Sequence, residues 1–103
     1  MQNIEILLED EKGKKIKELD LNFVGIISEL WKIKDFQIQY EWLSTIDPYG
    51  NTIFNVYQIP KLIEESQELL KQIKDQNTKN SIKKFLDFSK EVKQHIYLRF
   101  VGD

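Results

Sequence analysis

Asp47, Tyr49, His95 and Arg99 are the side chains of this sequence best suited to chemistry. An aspartate and a histidine exchange protons, and an arginine offers a planar, bidentate fork to a carboxylate or phosphate. If they met near Tyr49 they would make an acid–base or small-ligand site, yet nothing in their spacing brings them together. His95 is the only histidine, and Arg99 is the only arginine among 15 basic residues. In so lysine-rich a background Arg99 stands out for its geometry, although an ordinary ion pair accounts for it equally well, for instance with Asp103 four residues on.

The remaining chemistry is defined by what the composition excludes. With no cysteine, disulfides, thiol nucleophiles and cysteine zinc sites are ruled out, and a single histidine gives a metal site little support. Glycine-rich phosphate loops, nucleophile elbows and HExxH or EF-hand patterns are missing, and the four glycines, at 13, 25, 50 and 102, are too scattered to cradle a phosphate. No cofactor is implied. A net charge of −2 removes the bulk electrostatic reason to expect general nucleic-acid binding. No basic, apolar leader opens the sequence and no apolar run has the length of a membrane span, so the expectation is a soluble cytoplasmic protein with no membrane partner.

Asp47-Pro48-Tyr49-Gly50-Asn51 is the most distinctive string. Aspartate first, proline second and glycine fourth suit a type I turn, because the Asp side chain bonds the backbone two residues on and Pro presets φ. That accounts for Asp47, Pro48 and Gly50 and leaves Tyr49 unexplained. An aromatic at a loop tip, with Trp42 at the end of a predicted strand before it, is interface-anchor chemistry. His95 falls where the last predicted helix ends, a place the helix dipole favours for an imidazolium.

Ile4–Leu8 alternates as an opening strand, Asp10–Gly13 is a hairpin turn, and Lys14–Glu18 returns. Phe23, Ile26, Ile27, Leu30, Trp31 and Ile33 follow helical spacing, with Asp20 or Asn22 as cap and Gly25 on the opposite side. Phe36, Ile38, Tyr40 and Trp42 alternate with Gln37, Gln39 and Glu41, which predicts a strand with one wet face, and Thr52–Tyr57 reads as its antiparallel neighbour. Pro60 opens a helix with an inner stripe from Leu62 to Ile73, the Asp75–Thr78 stretch breaks it, and Ile82 to Ile96 resumes in a second helix. Ile96–Val101 alternates as the closing strand. The order β-β-α-β-β-α-α-β predicts one α+β domain over residues 1–103, a two-layer sandwich of an antiparallel or mixed sheet with three helices.

The strings Ile46–Asn55, Ile59–Glu65 and Tyr97–Asp103 resemble a group of small bacterial proteins that share a DPYG…FN…P…L segment and an LRF-GD ending. The resemblance implies no activity, but it marks Asp47, Tyr49, Asn55, Arg99 and Asp103 as positions to mutate. In size, charge and lack of catalytic equipment the chain is also similar in style to the immunity proteins of bacterial toxin systems, a likeness of class and not of residues. Three readings follow. The first is a protein-binding domain, immunity- or antitoxin-like, that blocks a toxin or enzyme with Trp42, Asp47, Tyr49, Asn55, Arg99 and Asp103. The second is a small ligand-binding domain or enzyme built on Asp47, Tyr49, His95 and Arg99. The third is a homodimeric module whose partner covers Gln37, Gln39 and Glu41.

Overall fold

The computed structural model describes residues 3–102. Strand β1 (Ile4–Asp10) lies inside the sheet, and its alternation decides the layering. Ile4, Ile6 and Leu8 point to the buried side, whereas Glu5, Leu7 and Glu9 share the other face. β2 (Lys15–Leu19) returns antiparallel through a tight turn in which Asp10 Oδ1 accepts from the N–H groups of Lys12 and Lys14 and Gly13 takes φ +81°. One extra residue, Ile16, bulges out of the β2 register. Strand β4 (Ile96–Gly102) pairs with β1, and strand β3 (Asn51–Phe54) pairs with β4, giving an antiparallel sheet of order β2-β1-β4-β3.

Three long helices supply the second layer: α1 (Phe23–Trp31), α3 (Ile59–Gln72) and α4 (Gln76–Ser89). Asn22 caps α1 by accepting from Gly25 N–H, and Asp75 caps α4 by accepting from Thr78 N–H. Pro60 sits in the first turn of α3, where its missing N–H leaves no bond unmade. Buried Phe23, Phe85, Phe100 and Phe54 join α1, α4, β4 and β3, with Phe23 5.1 Å from both Phe85 and Phe100 and Phe54 edge-on to Phe100 at 5.8 Å. Buried Ser66 and Ser89 donate to the carbonyls of Leu62 and Phe85, which satisfies each hydroxyl within its own helix. The α+β sandwich expected from the sequence is therefore the fold.

The predicted strand from Phe36 to Trp42 is not one. Phe36–Gln39 is a single helical turn, α2, and Leu43–Thr45 is a 3₁₀ turn. Tyr40 and Leu43 are buried and Phe36 packs partly against the core, a four-then-three spacing that belongs to a helix; Ile38, counted with them by alternation, is 81% exposed. The neighbour expected for that strand instead pairs with β4, and is the shorter segment Asn51–Phe54. The wet face of Gln37, Gln39 and Glu41 that the dimer reading relied on does not exist as a sheet face. The last helix also ends earlier than its apolar spacing suggests, at Ser89, so Val92 and His95 lie in the connection to β4.

Candidate functional site

The Asp47–Gly50 turn forms as its residue types require. Asp47 Oδ1 accepts from Tyr49 N–H at 2.9 Å, Asp47 O accepts from Gly50 N–H at 3.3 Å, and Asp47 N–H is held by Thr52 Oγ1 at 2.9 Å. Pro48 is buried and Tyr49 is 65% exposed. The turn rests on the end of β4: Gly102 N–H donates to Gly50 O at 2.7 Å. The turn and the end of β4 thus meet in space as one structural unit.

Asn55 is occupied by the backbone around it. Its Oδ1 accepts from the N–H groups of Tyr57 and Gln58, and its own N–H donates to Gln58 Oε1, which turns the chain from β3 into α3. Trp42 is half-buried, packed against the core, and its N–H and that of Leu43 both donate to the carboxylate of Glu65 at 2.9–3.1 Å. Asp103 lies outside the described residues, as does any pairing of it with Arg99.

Arg99 points to the sheet face that the helices leave uncovered. Its Nε is buried and 2.7 Å from Glu9 Oε1, although the N–H is not aimed along that contact, so the pair is held by charge and not by an aligned hydrogen bond. Nη1 lies 3.5 Å from Asn51 Oδ1. Across the strands the row Glu18, Leu7, Arg99, Ile53 shares this face, and Lys15, Glu9 and Tyr97 form the next row. Leu7 is only 8% exposed and Glu9 9%, while Ile53 at the margin is 47% exposed. Glu9, Ile53, Tyr97 and Arg99 line a shallow cleft of about 220 Å³ bounded by the β1–β2 turn.

His95 is at the other end of β4 from the Asp47 turn. It has φ +69°, and its Nδ1 is 3.0 Å from Glu11 Oε1, both side chains being well exposed. The seven residues of β4 put roughly 20 Å between the His95 end and the Gly102 end where Asp47 sits. Asp47 and His95 therefore belong to different sites, and His95 does not cap α4. Among the described residues no group of three or more His, Asp or Glu is placed to hold a metal ion, and no helix is long and apolar enough to cross a membrane.

Glu9, Ile53 and Tyr40 are not among the residues that the sequence marks as candidates for a site. Alternation put Tyr97, Arg99 and Val101 on one face, which was the available signal for the open surface; only the strand order places Glu9 and Ile53 beside them. Tyr40 is buried with its hydroxyl accepting from Gln72 Nε2. Burial, and after it the charge of Glu68, raises the Tyr40 hydroxyl above its ordinary value of 10.0, against the opposing effect of the Gln72 bond, so it stays neutral. No family model, curated protein or solved structure matches this chain.

Proposed function

We propose that this chain is a cytoplasmic protein-binding domain that captures and blocks another protein, in the style of a bacterial immunity or antitoxin partner, through the helix-free sheet face and the adjoining Tyr49 turn. The observation that carries this reading is the uncovered face itself. A sheet with helices on one side leaves its other side to solvent or to a partner. Here that side combines an exposed Ile53, a half-buried Tyr97 and an arginine already half stripped of water. Large apolar groups around a desolvated arginine are the composition of an interface centre. Glu5, Glu9 and Glu18 outnumber Lys15 and Arg99 on the face, which favours a partner with a basic rim.

The test is capture from a lysate of the source by the tagged protein, beside two folded variants, Tyr49→Ala and the paired change Arg99→Met with Glu9→Gln. A protein retained by the parent and lost by the variants, then bound in purified form by the parent alone, is the expected result. Equal capture by all three baits would remove this surface from consideration.

A further inference from the structure

We propose that β3 is the seam of a homodimer, in which the β3 strands of two copies of this chain pair antiparallel and join their sheets into one. The bond from Gly102 N–H to Gly50 O sets the phase of the β3–β4 ladder. Counting from it, Thr52 and Phe54 exchange hydrogen bonds with Phe100 and Leu98, whereas Asn51 and Ile53, opposite Val101 and Arg99, turn their N–H and C=O groups away from β4. β3 is the outermost strand on that side. The other edge, β2, carries Lys15, Lys17 and a bulge, features that keep a further strand from adding. Asn51-Thr52-Ile53-Phe54 has no charge, no proline and no bulge.

The occupant that answers this edge is a second copy. With Thr52 on a two-fold axis, Asn51 of each copy faces Ile53 of the other, and every outward N–H and C=O of the two strands finds one partner. The same closure covers part of both exposed Ile53 side chains and removes the open β3 edge from both molecules at once. The nearest charge on that face, Arg99, lies one strand inward beside Glu9. Its counterpart in the second copy would be three strand spacings away, roughly 14 Å, which is beyond the screening length at physiological salt. The pairing is only four residues long, so the dimer is weak and forms at high concentration. The inference does not rest on capture of another protein, and the Tyr49 and Arg99 variants should leave it intact.

Sedimentation equilibrium of the full chain from about 10 μM to about 1 mM spans the range expected for so small an interface. Monomer should give way to dimer as concentration rises. Hydrogen exchange at the Asn51 and Ile53 amides should slow over the same range, while the Thr52 and Phe54 amides stay protected throughout. Ile53→Pro removes a donor that points away from β4, so the variant keeps its fold and loses the dimer. Asn51→Lys sets a charge directly against Ile53 of the other copy and should weaken the dimer without altering the backbone. A monomer at every concentration overturns the proposal. So does association that both variants retain, or protection of Asn51 and Ile53 that appears only when a different protein is added.

Discussion

Gly102 and Pro48 meet backbone to backbone: a Cβ on Gly102 would stand 2.4 Å from the carbonyl carbon and oxygen of Pro48 and 2.7 Å from Asp47 O. No side chain is available to swing aside, so the turn would have to lift from β4. Gly102→Ala should cost about 2 kcal/mol and lower Tm by about 10 °C. Gly25→Ala is the contrast. There the added methyl meets only the Asn22 side chain, at 3.6 Å, in a helix that gains from losing glycine. It should raise stability by about 0.5–1 kcal/mol. Thermal unfolding of the two variants should move in opposite directions.

Glu65 fixes the segment that replaces the expected third strand. Its carboxylate is buried and accepts from the N–H groups of Trp42 and Leu43, tying α3 to the start of the 3₁₀ turn. Glu65→Ala would strand two N–H groups and should cost about 2–4 kcal/mol. Glu65→Gln keeps one accepting oxygen and should cost about half as much. Urea unfolding that gave equal losses for the two variants would show that volume, and not the acceptor, matters there.

The fold class was readable because β4 and the three long helices each bury one face at a single period and Ile4, Ile6 and Leu8 alternate along β1. Residues 36–42 were not, because Phe36 and Tyr40 satisfy alternation and helical spacing alike, and the deciding facts are distant: Glu65 and Gln72 hold this segment from α3. The site residues divide in the same way. Asp47, Pro48 and Gly50 declared their turn locally. The partner of Arg99 did not declare itself, because Glu9 reaches it only through the β1–β4 register, with Leu7 opposite Arg99 and Glu9 opposite Tyr97. His95 was expected at a helix end, but α4 stops at Ser89 and the left-handed backbone at His95 instead turns the chain into β4.

Asp75 should make the start of α4 acid-sensitive. Hydrogen bonds from Thr78, first its backbone N–H and then its hydroxyl, hold the Asp75 carboxyl below its ordinary value of 3.8. A carboxyl that ionises more readily when folded adds stability that is fully present above the unfolded value and is lost as pH falls through the folded one. An NMR titration should therefore find Asp75 titrating below 3.8. The stability difference between the parent and Asp75→Ala should stay flat near neutrality and shrink below that point. A difference that persisted unchanged in acid would mean that the ionised cap contributes nothing.

Arg99 and Glu9 act as a unit, and this governs how the proposed surface can be tested. The Glu9 side chain is 12% exposed and the Arg99 side chain 30%, so removing either partner alone leaves a largely buried charge without its counterion. Arg99→Ala should cost about 2 kcal/mol, less than a fully buried pair because Arg99 keeps some contact with water. Arg99→Met with Glu9→Gln replaces both charges by similar volumes, and should cost less than the two single changes added together, a coupling of about 1 kcal/mol or more. A double-mutant cycle in urea at low and high salt measures it, with the coupling changing little because the pair is screened by protein more than by ions. If the single changes simply add, the two side chains are independent. Loss of binding in Arg99→Ala would then report the interface directly, whereas with coupling only the paired change separates binding from folding.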